Sequence, residues 1–368
     1  MASPLFILAA KRTPFGAFGG KLKGFSATDL AVHAGRAALA ASGVPPAAVG
    51  ASVWGSVAQT SSDAAYLARH AGLRCGLEKE STALTVNRLC GSGFQALVSA
   101  AHELRAGENA TGLALIGGAE SMSQAPLSAW GHTVRFGTKL GADLALQDTL
   151  WAALTDSLAK TPMGTTAEVL GAQYGVTRAE CDAYALRSQA AWGAAAKGAL
   201  LPASIAPMEL PGRKGPEAFA VDEHPRPDTA ADALARLPSV FKKEGGLVSA
   251  GNASGICDGA AALVLGTGEA AARHGARPLA RVVGWATAGV DPKVMGIGPA
   301  PAVRAALART GLQLKDMDLI EVRARGGARP RPRTLLCATN PHSPSTRRAR
   351  ALTPHALPPL HRPLRAGK

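Results

Sequence analysis

Several familiar signatures are missing from this chain. Its five cysteines, at positions 75, 90, 181, 257 and 337, include no Cys-x-x-Cys pair. That argues against a zinc ribbon or a thioredoxin-type site, and no metal site is expected. An odd cysteine count without a secretory signal favours a reducing compartment. No apolar run reaches about 18 residues, so no membrane span is expected. The N-terminus has no charged segment followed by a long apolar stretch, and no long Arg- and Ser-rich leader. Aromatics make up only 4% of the chain. Ala, Val and Leu must therefore build the core.

Acidic residues are missing from residues 323–368, which hold ten Arg and one Lys. The net charge of +14 is concentrated there: of 40 basic residues in the chain, 29 remain in residues 1–322, against all 26 acidic ones. A body so nearly balanced argues against nucleic-acid binding and suits an enzyme with an anionic substrate. The tail carries eight prolines in 46 residues and no sustained helical or strand period. Such a composition is expected to stay disordered. It reads either as an RNA- or membrane-contacting arm or as a segment without an evolved role.

What is present is an alternation of strand and helix signals, which argues for an α/β fold. Strands are expected at Leu5–Ala9, Leu84–Asn87, Ala260–Leu265, Leu279–Trp285 and Leu319–Val322. Leu113–Ile116 reads as a buried central strand ending at Gly117-Gly118. Helices are expected over Ala27–Ala41, stopping near Gly43, and over about 178–197, where Thr177 and Glu180 form a capping box. Another covers Arg304–Arg309. The stretch from Pro202 to Pro238 is rich in loop signals, and a loop of that length is usually functional.

Residues 86–97 read VNRLCGSGFQAL. An apolar strand approach, a cysteine, a small-residue turn and an amphipathic run place the Cys90 thiol at the start of a helix. Phe94, Leu97, Val98, Ala101 and Leu104 would share that helix's buried face. Gly91, Ser92 and Gly93 allow a sharp turn and keep bulk from the sulfur. Amides at a helix N-terminus stabilise a thiolate. Cys90 is thus a candidate nucleophile, although a lone cysteine also fits as a small buried residue.

The segment around Cys90 resembles the nucleophile segment of thiolases. AAKRTPFGAFGG at 9–20, GGAESMSQAP at 117–126, AGNASGICDGAAALVL at 250–265 and MGIGPAPA at 295–302 resemble other thiolase segments, in the family's order. The likeness runs almost continuously from Leu5 to Val322. It implies a five-layered αβαβα fold made of two similar halves, the second truncated. The domains would be 1–120 with 251–270 as the N-terminal half, 121–250 as a loop domain that holds coenzyme A, and 271–322 as the start of the C-terminal half. The basic tail, 323–368, begins abruptly inside a thiolase-like strand, which favours the reading without an evolved role.

The resemblance implies an acyltransferase that cleaves 3-ketoacyl-CoA in fatty-acid β-oxidation. Coenzyme A would be a substrate, with no permanently bound cofactor. Cys90 would carry the acyl thioester. Arg226 and Thr229, in the segment Asp222 to Thr229, would contact the nucleotide part of CoA, and Ser254 its pantetheine arm; Met163 would line the same tunnel. A mitochondrial matrix location is implied, with cytoplasmic or peroxisomal alternatives, as is a homodimer or tetramer. The family's base, acid and oxyanion motifs, Gly-His-Pro, Cys-x-Gly-Gly-Gly and Asn-Glu-Ala-Phe, do not occur. After Val322 the chain reads Arg323-Ala324-Arg325-Gly326. Cys337, His342, His355 and His361 lie in the wrong context to replace them. The alternative is therefore an inactive chain that binds CoA or joins intact thiolase subunits. Glu120, His224 and Asp258 are expected to serve structure: a buried ion pair, a loop hydrogen bond and a helix cap.

Overall fold

The computed structural model describes residues 3–212 and 215–322. The expectation of a disordered tail, together with Cys337, His342, His355 and His361, lies outside the described residues.

Five strands and three helices open the chain: β1 (Leu5–Arg12), β2 (Gly16–Ala17), α1 (Ala27–Ser42), β3 (Ala51–Gly55), α2 (Leu67–Arg74), β4 (Thr82–Val86), α3 (Ser92–Ala106) and β5 (Leu113–Ser121). They build most of one mixed sheet. Its order is Ala280–Val282, β1, Cys257–Thr267, β5, β3, β4, with β2 added beside Cys257–Thr267. The β5–β3–β4 part is parallel and the rest antiparallel.

The two faces are covered by different helices. Strand alternation sends Trp54, Leu113 and Leu115 to one side, where they pack with Leu30, Ala34 and Leu67 of α1 and α2. It sends Val53, Ala114 and Ile116 to the other, against Ala96, Ala100 and Leu104 of α3. Trp54, Leu30, Leu67, Leu113 and Leu115 have no more than a trace of exposed surface. Each buried large apolar side chain contributes roughly 1.5–3 kcal/mol. The described residues thus form three of the five expected layers: helix, sheet, helix.

Local signals explain the helix ends. The Ser26 hydroxyl caps α1 and Asp29 bonds back to the Ser26 amide, while Gly43 closes the helix at φ +70. The Arg178–Ala196 helix starts at the expected Thr177–Glu180 box.

Three expectations are corrected. β5 does not end at Gly117-Gly118 but runs through them to Ser121. These glycines provide clearance: a Cβ at Gly117 would meet the Trp54 ring and the Ala261 carbonyl. Phe94 lies outside the buried face of α3 and is 82% exposed; the small residues Ala96, Ala100 and Ala101 take that face because the helix lies close on the sheet. Residues 319–322 form no strand. No neighbouring strand among the described residues offers them hydrogen bonds, and Leu319 and Val322 stay exposed.

The stretch from Pro202 to Pro238 carries more structure than its loop signals suggest, with a two-stranded hairpin of Met208–Leu210 with Glu217–Phe219 and a short helix at Ala231–Ala235. Before the expected Arg178–Ala196 helix lies another, Met163–Tyr174.

Candidate active site

Cys90 stands where β4 gives way to α3, and its side chain is exposed. The approach is tightly built. The Asn87 Oδ1 accepts from the Leu89 amide at 2.9 Å. Leu89 adopts φ +46, left-handed backbone that a leucine rarely visits. Its carbonyl accepts from the Ser92 amide at 3.0 Å and the Ser92 hydroxyl at 2.6 Å. The Arg88 amide donates to the same hydroxyl at 2.8 Å. The turn therefore rests on Asn87 and Ser92, with Cys90 projecting between them.

The floor beneath this turn is made of glycine. Gly55 of β3 pairs with Gly118 of β5. A Cβ at Gly55 would stand 2.6 Å from the Ser92 carbonyl oxygen and 2.7 Å from its Cβ. One at Gly118 would meet the Cα of Gly93 at 3.6 Å. Ser92 is consequently buried and the first turn of α3 sits directly on the sheet.

The buried ion pair expected for Glu120 is not found among the described residues; its carboxylate instead accepts from the amides of Val57 at 3.0 Å and Ala58 at 3.1 Å. Burial pushes its carboxyl above its ordinary value, against the lowering effect of those two bonds. Asp258 is fully buried on its strand and accepts from the Ser123 amide at 2.9 Å and the Ser123 hydroxyl. It thus caps the short Met122–Gln124 turn of 3-10 helix from the neighbouring strand.

The segments expected to hold coenzyme A are fixed by three further carboxylates that sequence reasoning did not single out. Asp222 accepts two bonds from Arg12, at 2.7 and 3.0 Å, one from the Phe15 amide and one from Trp192. Burial alone would push this carboxyl up; the donors outweigh it and hold it below its ordinary value. Glu168 accepts from the Leu247 and Val248 amides. Asp182 accepts from Arg178 and from the Asn252 amide nitrogen at 2.8 Å. The last two tie the helices of the excursion to the loop carrying Ser254. Only the spacing of Arg178 and Asp182, i and i+4 on one helix, was a local signal for any of them.

Arg226 and Thr229 share one exposed turn. The Arg226 Nη1 donates to the carbonyls of Glu223, His224 and Pro225, and Thr229 Oγ1 donates to the Arg226 carbonyl at 2.6 Å. The His224 ring lies against Gly255, leaving no space there for a Cβ. That contact brings the Arg226–Thr229 turn beside the loop of Ser254, three residues before the Cys257–Thr267 strand. Among the described residues, no hydrogen bond joins Cys90 directly to Arg226, Thr229 or Ser254. Met163 begins the Met163–Tyr174 helix and is half-buried. No group of three or more His, Cys, Asp or Glu among the described residues is placed to hold a metal ion, and no helix among them is long and apolar enough to cross a membrane.

Residues 5–269 match the thiolase N-terminal domain, and residues 276–325 match the thiolase C-terminal domain. The mitochondrial 3-ketoacyl-CoA thiolase of Mus musculus is 55% identical over 318 residues, covering 86% of this chain and 79% of that protein. The structure superposes on human mitochondrial 3-ketoacyl-CoA thiolase with a TM-score of 0.83 at 51% identity, covering 86% of this chain and 79% of the other. A second structure of the human protein, in complex with CoA, gives a TM-score of 0.82 at 51% identity over 86% of this chain and 78% of that one. With both domains matched across most of its length, the chain belongs to the thiolase family.

Proposed function

We propose that this chain is a 3-ketoacyl-CoA thiolase by descent and binding, an acetyl-CoA C-acyltransferase of fatty-acid β-oxidation, with Cys90 as its nucleophile. The observation that carries the reading is the exposed thiol held at a strand–turn–helix junction over a glycine floor. The likeness to mitochondrial relatives supports a place in the mitochondrial matrix, and the CoA-bound human relative supports coenzyme A as the second substrate.

In this reading the Cys90 sulfur attacks the 3-keto carbon of the substrate. The bond between the second and third carbons breaks, and its electron pair stays on the second carbon. That carbon takes a proton and leaves as acetyl-CoA, while the shortened acyl group remains on sulfur as a thioester. The thiol of a second CoA then takes the acyl group and frees Cys90. Residues 121–250 serve as the loop domain over the site, between an N-terminal half of 1–120 with 251–270 and the opening of a C-terminal half, 271–322. Arg226 meets a phosphate of CoA, exchanging loop carbonyls for a charged oxygen. Thr229 and Ser254 take polar positions along the nucleotide and the pantetheine arm.

The chain lacks the family's Gly-His-Pro, Cys-x-Gly-Gly-Gly and Asn-Glu-Ala-Phe motifs. Each missing acid or base lowers the rate by about 10²–10⁴-fold. Binding of CoA is therefore retained better than catalysis; acyl transfer to Cys90 and turnover, which both need those groups, are reduced to a trace. A steady-state thiolysis assay beside a CoA-binding titration tests this. Bound CoA with little turnover is expected; turnover at a full thiolase rate would contradict the impairment, and failure to retain CoA would contradict the function.

A further inference from the structure

Alternation along β5 puts Ala114, Ile116, Gly118 and Glu120 on the face that carries α3. Glu120 is the last residue but one of that strand, and no salt bridge among the described residues includes it. A half-buried carboxylate committed to two backbone amides, of Val57 and Ala58, is a costly way to hold a loop unless that loop matters.

What the loop does next is on the path to the thiol. The Val57 carbonyl accepts from Asn87 Nδ2 at 3.2 Å. Asn87 Oδ1 in turn accepts from the amide of Leu89, at 2.9 Å. Leu89 is the residue before Cys90, and its left-handed backbone is strained and persists only where its surroundings impose it. The central sheet is thereby connected to the turn through Glu120, Val57 and Asn87.

We infer that Glu120 is a positioning residue for Cys90, acting through Val57 and Asn87 to hold the Leu89 turn that aims the sulfur. The inference rests on Cys90 being the nucleophile. Glutamine at 120 would have nearly the same shape, but only one of its two polar groups accepts, so one of the two loop amides would lose its partner.

The test is the rate at which iodoacetamide labels each cysteine, read peptide by peptide by mass spectrometry. It is run on the full chain and on the variants Glu120→Gln, Asn87→Ala and the double variant. Glu120→Gln is expected to slow labelling of Cys90 by about tenfold, since a small misplacement of a reacting group is enough for such losses. Asn87→Ala is expected to slow it similarly, and the double variant no further, because both changes cut one connection. Unchanged labelling in Glu120→Gln would overturn the inference. So would additive losses in the double variant, or a loss accompanied by new labelling of buried Cys75 and Cys181, which would signal general loosening. Failure of Cys90 to label in the unaltered chain would instead remove the proposed nucleophile itself.

Discussion

Arg12 and Asp222, 210 positions apart in sequence, form a two-bond ion pair at 2.7 and 3.0 Å, with side chains only 14% and 7% exposed. The pair fastens the start of the Arg226–Thr229 turn to the end of β1. Glu223 extends the clamp, accepting from the amides of Ala17 and Lys21.

Removing one partner leaves the other buried and unpaired, so Asp222→Ala is expected to destabilise the chain by about 3 kcal/mol. The folded carboxyl lies below its ordinary value. Its stabilisation is therefore fully present above the unfolded value of about 3.9 and is lost as pH falls through the lower folded value. Denaturation curves at neutral pH and in acid check this: the gap between the unaltered chain and Asp222→Ala should shrink in acid.

Gly55→Ala is expected to lift the first turn of α3, because the added carbon would collide with Ser92. A loss of about 1–3 kcal/mol follows from such overpacking. Thermal melts report the stability, and slower alkylation of Cys90 reports the displaced turn.

Cys75 is buried, and burial pushes its thiol up to about 11, with Arg36 and Arg74 opposing the rise. Cys181 is buried as well, and burial and the nearby acidic groups raise its thiol in the same direction. Near neutral pH neither should react with iodoacetamide while exposed Cys90 does. A pH series extends the check: labelling of Cys75 should begin only toward strongly alkaline pH, unless the fold opens first.

Arg226→Ala is expected to weaken CoA binding by about 10–100-fold, the range for losing a hydrogen bond to a charged group. Titration calorimetry measures it directly. Dephospho-CoA run alongside should show a smaller penalty if the lost partner is the ribose phosphate.

Much of the fold was legible because its signals are local. The Thr177 box, the Gly43 stop and the apolar run that opens β5 each lie within a few residues. The position of Cys90 at the head of a helix came from the same kind of signal. The rest was set by distant partners. Phe94 fits a helical apolar stripe on paper, yet the close approach of α3 to Gly55 and Gly118 leaves its buried face to alanine. Gly117-Gly118 read as an ending because glycine punctuates turns; their use as clearance for Trp54 and α3 depends on other strands. Asp222, Glu168 and Glu120 act on backbone amides far along the chain, and no spacing announces that.

The central claim is that Cys90 is the sulfur presented to an acyl-CoA. The direct measurement is covalent labelling of the folded chain by haloacetyl-CoA, with the modified residue identified by peptide mass spectrometry and free CoA as competitor. The account predicts one adduct, on Cys90, suppressed by excess CoA. An adduct on Cys257 or another side chain, or a Cys90 left untouched in folded protein, would contradict it.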